Sequence, residues 1–184
     1  MNEPFYHKII NSTAHRPIRD QLSGEVLDNP DLLPDLLHIA FDTTDKNHHK
    51  ACWVLELVME ARIEWLAPHM DAFCNALSGY RQEGAIRSIS KVCLFAVTRH
   101  RKVKLLENKH LEQITEACFD WLIDPEGKVA AKAYAMRALF IIGKNEDWIY
   151  PELQRILSED SVKHTAAYKG AAKDILNKIN TLQG

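Results

Sequence analysis

The apolar positions of this chain recur at helical spacing almost from end to end. Leu32, Leu33, Leu36, Leu37, Ile39 and Ala40 place one apolar face on a helix from Asp31 to Phe41, with Pro34 near its start. From His48 to Arg62 the chain is nearly all apolar, broken by Glu56 and Glu60, which lie four apart on one narrow stripe. That helix is expected to be covered on most sides. Glu83 to Leu106 reads as a longer helix, apolar in its first half with Arg87 and Lys91 spaced by four, and basic in its second half at Arg99-His100-Arg101-Lys102-Val103-Lys104. Further helices are expected from Leu111 to Ile123, from Lys128 to Ile142 with Gly143 as a stop, from the Asp147 region to Leu157, and from Ser161 to about Leu182. Pro4 to Asp28 reads as one or two helices of a polar N-terminal cap. No stretch alternates apolar and polar residues between turn signals, so no strand is expected and the fold class is all-α.

One signature occurs twice. Glu64-Trp65-Leu66-Ala67-Pro68-His69-Met70 and Asp147-Trp148-Ile149-Tyr150-Pro151-Glu152-Leu153 share an acid, Trp, an aliphatic, a spacer, Pro, a polar residue and an aliphatic, at an offset of 83. Phe41-Asp42 matches Phe119-Asp120, Lys50-Ala51 matches Lys132-Ala133, and Ala131-Lys132-Ala133 matches Tyr168-Lys169-Gly170. Pro is tolerated in a helix's first turn, an acid upstream favours the free amides there, and the two Trp rings are expected to fill seams between units. Taking Pro34, Pro68, the Leu111 region and Pro151 as first-helix starts gives spacings of about 34 to 43 residues, one helical hairpin each. The chain resembles HEAT and armadillo arrays, with Pro early in the first helix and a basic residue in the second. The resemblance implies an α-α superhelix of about four hairpins behind an N-terminal helical cap, one domain over residues 1–184. In the second hairpin the register of Arg87 or Lys91 against Lys50 stays open.

Composition narrows the function without naming it. A formal charge of −2 gives no bulk electrostatic reason to bind nucleic acid or an anionic membrane, so any such binding has to be local. Cys52, Cys74, Cys93 and Cys118 sit singly within apolar helical patterns and form no Cys-x-x-Cys pair, which reads as small buried hydrophobes. No uncharged apolar run approaches the roughly 20 residues that span a bilayer, and the first residues do not form a signal peptide. The simplest address is the cytoplasm.

Three residue sets are candidates for function. Lys50, Lys132 and Lys169 occupy equivalent positions in second helices and would form a ladder along the concave face, with Arg87 or Lys91 filling the gap, a groove for an anion or acidic partner. Their long stems could equally cover apolar seams with the ammonium groups in water. Arg87, Lys91, Arg99, Arg101, Lys102 and Lys104 form a basic helix able to contact phosphates, similar in kind to the basic surfaces of the HEAT-like alkylpurine DNA glycosylases. Cations near a helix C-terminus also stabilise the helix itself. Asp42, Asp45, His48 and His49 bring enough ligand types for a transition metal, but at no known metal spacing, and the acids suit turn and cap positions.

Lys50-Ala51-Cys52-Trp53, Thr115-Glu116-Ala117-Cys118-Phe119-Asp120-Trp121 and the second Trp-Pro signature are also similar to small bacterial proteins sometimes labelled adenylosuccinate lyase. That superfamily implies a flexible Ser-Ser-x-Met-Pro-x-Lys loop, which this chain lacks. No Ser, His and Asp set, glycine-rich phosphate loop or His-Glu-x-x-His is present. The expectation is a non-catalytic helical-repeat scaffold binding a protein or other macromolecule on its concave face, with no catalytic residue, metal ligand set or cofactor assigned. The alternatives are a nucleic-acid-binding or DNA-repair protein using the Arg87 to Lys104 helix, and a small metal-dependent enzyme centred on Asp42, His48 and His49.

Overall fold

The computed structural model describes residues 2–160 and 165–183, leaving the side chains of residues 160 and 183 aside. Among these residues the chain is helical and contains no strand. The helices are α1 (Glu3–Ile10), α2 (Arg16–Asp28), α3 (Leu33–Phe41), α4 (His48–Arg62), α5 (Met70–Ala76), α6 (Glu83–Val103), α7 (Asn108–Ile123), α8 (Val129–Ile142), α9 (Ile149–Asp160) and α10 (Ala166–Gln183). The expected start of the last helix at Ser161 lies outside the described residues.

The helices stack in two layers. The even-numbered helices follow one another, α2 on α4, α4 on α6, α6 on α8 and α8 on α10. Behind them α1, α3, α5 and α7 form an outer row in the same order, while α9 packs on α8 and α10. This is the arrangement in which each hairpin buries its apolar faces against its neighbours. A continuous core runs through both layers from Phe5 to Ile179. Helix α4 is in contact with α1, α2, α3 and α6, which accounts for the mostly apolar run between His48 and Arg62.

Two departures from the expected helices have local causes. The first Trp-Pro signature does not open an α-helix. Residues Ile63–His69 wind as a 3-10 turn, and α5 begins at Met70, after Pro68. A proline inside a turn supplies no N–H and crowds the carbonyl four residues back, so α winding begins only beyond the ring. The second signature does open a helix, with Pro151 inside the first turn of α9. What the copies share is burial: Leu66 and Ile149 are sealed in the core, and so are Met70 and Leu153. The second departure is at the end of α6, which stops at Val103 because Lys104 adopts a left-handed conformation with φ 48° and ψ 50°. That cap lets the Lys104 N–H donate to the His100 carbonyl at 2.9 Å.

Candidate functional site

The even-numbered helices turn one face to the outer row and leave the opposite face uncovered. On α8 the less buried positions are Ala130, Tyr134, Arg137 and Ile141, spaced by four, three and four, a single stripe. On α6 the corresponding stripe is Gly84, Arg87, Lys91 and Phe95, and on α4 it is His49, Trp53 and Glu60, with the buried Glu56 between the last two. Gly84 permits the close approach of α4 and α6, since a Cβ there would lie 3.0 Å from the Trp53 indole nitrogen. This inner face therefore combines aromatic rings with charge.

Its centre is Glu56, only 2% exposed and reached by four donors from two helices. Arg19 of α2 donates at 3.3 Å, Arg87 of α6 at 3.2 Å, Ser88 Oγ at 2.7 Å and Lys91 Nζ at 3.1 Å. A buried carboxylate is costly without such partners. Lys91 also donates to Glu60 at 3.3 Å and lies 5.3 Å from the centre of the Phe95 ring. Burial alone would push its pKa down, and the Glu56 and Glu60 carboxylates together outweigh that and hold it above the usual lysine value. Three cations thus face two carboxylates across α2, α4 and α6. The sequence supplied Glu56, Glu60, Arg87 and Lys91 as separate pairs four apart; that Arg19 joins them follows from the stacking of α2 on α4.

The three ladder lysines are not alike in the structure. Lys132 is 1% exposed, and its Nζ donates to the Leu122 carbonyl at the end of α7 at 2.9 Å. Lys50 is partly buried, and its Nζ donates to the Ile10 carbonyl at the end of α1. Lys169 lies exposed on α10. The first two ammonium groups satisfy helix-end carbonyls that have no intrahelical partner, and the third is open to solvent.

Arg99, Arg101, Lys102 and Lys104 are all exposed around the C-terminal end of α6. None of the four is in an ion pair among the described residues. Cations at this end also oppose the negative pole of the helix.

The residues of the Asp42 to His49 stretch point apart. Asp42 accepts from the Thr44 backbone N–H at 3.1 Å, and Asp45 accepts from the Asn47 N–H at 2.7 Å, so both carboxylates organise the α3–α4 turn. His48 donates its Nδ1–H to the Asp45 carbonyl at 2.6 Å, and its ring lies 5.8 Å from that of Tyr80. His49 turns the other way, edge-on to Trp53 at 5.0 Å. Among the described residues no three His, Cys, Asp or Glu side chains are grouped so as to hold a metal ion. The four cysteines are buried thiols; burial pushes the Cys52 thiol well above its usual range and that of Cys74 up to about 12.

The HEAT repeat domain family profile matches residues 6–179. The chain belongs to the HEAT repeat domain family. Neither the curated proteins nor the solved structures contain a significant match to it. As a HEAT repeat protein it is a scaffold of stacked helical hairpins, an architecture that commonly mediates protein interactions. No helix among the described residues is long and apolar enough to cross a membrane.

Trp148 is the residue that repeat matching misplaces. Trp65 is half buried against the core, but Trp148 is 56% exposed and lies flat on Phe119, with ring centres 5.6 Å apart and planes 27° apart. The sequence holds one clue to the difference. Phe119 follows Cys118 on the outer side of α7, where the first copy places Phe41 against Phe73 instead.

Proposed function

We propose that this chain, folded as one helical-repeat domain over residues 1–184, is a non-catalytic scaffold that binds a protein partner on its inner face. Arg87, Tyr134 and Arg137 are the contact residues, and the partner presents an acidic segment. The observation that carries this reading is the arrangement of donors around Glu56. Its carboxylate is already saturated by donors from α2 and α6, so the Arg87 side chain, 41% exposed, retains capacity for a second acidic group. Arg137, one helix further along, is exposed and in no ion pair among the described residues. Tyr134, three residues before Arg137 on α8, adds a rigid ring with a polar tip, the residue type favoured at interface centres. A photo-crosslinking amino acid placed at Tyr134 in cells tests this. Discrete protein adducts are expected there and not from the same group at Glu64, in the turn before α5, and R87A/R137E should remove them. Adducts equal at both positions, or none at Tyr134, would reject the inner face.

A second reading, a nucleic-acid contact, rests on the unpaired cations at the end of α6. Binding of duplex DNA that weakens steeply with salt and disappears in R101E/K102E supports it. No binding in low salt removes it.

A further inference from the structure

We propose that the gap in the outer row between α7 and α9 is a second docking site, distinct from the inner face, that takes a short basic segment carrying one large apolar anchor residue. The row formed by α1, α3, α5 and α7 is closed by helix-on-helix contact, but α9 packs on α8 and α10 instead of closing on α7. A cavity of about 450 Å³ opens there, floored by Leu111, Phe119, Ile142 and Ile149 and flanked by Trp148. The volume suits one or two large side chains and is far too small for a folded domain. Trp148 extends the apolar floor onto the surface, because its stacking on Phe119 fixes the ring beside the opening.

Charge selects the occupant. Glu112 and Glu116 stand four apart on α7, at roughly 6 Å along the helix axis, and Glu146 stands on the opposite lip. None of the three is in an ion pair among the described residues. Three unpaired carboxylates around an apolar slot disfavour an acidic or nucleic-acid ligand and favour lysine or arginine on either side of an anchor. A partner helix with its anchor at one position and basic residues three or four away would meet both lips.

The test uses the full chain as bait for a displayed library of random dodecapeptides. Enriched peptides are expected to carry Arg or Lys on both sides of a Leu, Phe or Trp. A synthetic representative should bind with a 1:1 stoichiometry, weaken with salt, and lose roughly tenfold or more in affinity in W148A and in E112K/E116K. R137E, a change at an exposed inner-face residue outside the Glu56 network, should bind it as the parent does, which separates this site from the inner face. No enrichment, enrichment of acidic peptides, or binding indifferent to W148A and E112K/E116K would overturn the proposal. So would a dimer in sedimentation that W148A dissociates, since the slot would then be filled by a second copy. All three substituted residues are exposed, so circular dichroism and melting should match the parent chain.

Discussion

Lys132 donates its ammonium to the carbonyl of Leu122 at 2.9 Å, from the first turn of α8 back to the last turn of α7. The contact ties the two helices of one hairpin together at their junction. Gly127, in the loop between them, leaves room for the lysine stem, since a Cβ there would lie 3.1 Å from Lys132 Cε. Replacing Lys132 with Met keeps the stem's packing and leaves a buried carbonyl without this donor, at a cost of about 1–3 kcal/mol. Urea unfolding should show it, with K169M, at an exposed repeat-equivalent position, within about 0.5 kcal/mol of the parent. Equal effects of the two substitutions would contradict the capping role.

Glu56 should be far more sensitive than Glu60. Glu56→Gln removes the charge that holds Arg19 and Lys91 in partly buried positions, and breaking such a pair from one side costs about 3–5 kcal/mol. Glu60 is about half exposed and among the described residues pairs only with Lys91, so Glu60→Gln should cost no more than about 1 kcal/mol. Thermal melts of the two variants decide the matter, and a Glu56→Gln protein as stable as Glu60→Gln would refute the buried network.

Gly143 is held small by a ring. A Cβ at this position would sit 2.5 Å from the edge of the Tyr150 ring, whose hydroxyl donates to the Phe140 carbonyl at 3.0 Å. Gly143→Ala, though ordinarily favourable for backbone entropy, should therefore destabilise by about 1–3 kcal/mol. In the double variant with Tyr150→Phe the two costs should not add, because one displaced ring accounts for both.

Acid should weaken the fold before any carboxylate titrates. Burial lowers the pKa of His100, helped by Lys104, and burial lowers that of His49, helped by His48. The folded values lie below the unfolded ones, so the unfolded chain takes up protons first. The contribution is complete above about pH 6.5 and is lost as the pH falls through the folded values. His100 has a structural reason to resist protonation: its Nδ1 accepts the Leu106 N–H at 2.8 Å, and a charged ring has no acceptor there. The urea midpoint should drop between pH 7.5 and 5.5, and His100→Asn, which keeps an acceptor without titrating, should flatten the drop. An unchanged slope in that variant would place the effect elsewhere.

The sequence pattern carried the helices well where one face alone decides the outcome. The limits of α4 follow from an apolar run ended by Arg62, and α8 ends at Gly143 as its pattern predicts. Partnerships between helices were less legible. Lys50, Lys132 and Lys169 share a repeat position, yet their exposure depends on which helix end lies within reach, which is a property of stacking. Trp65 and Trp148 share a seven-residue signature, and only the packing of α9 on α10 leaves the second ring outside. Glu56 and Glu60 were visible as a stripe, but the donors that make one of them a buried hub come from α2 and α6, more than 30 residues away in either direction.

Exposed cations at the end of α6 and, on α7, Glu112 and Glu116 without an ion pair among the described residues give the molecule local patches of opposite sign that its net charge of −2 conceals. If both proposed sites are used, such surfaces would pull oppositely charged partners from different sides and orient them before contact. The same chain should be retained by both cation and anion exchangers near neutral pH at low salt, and two ligands of opposite sign could occupy it at once without competing.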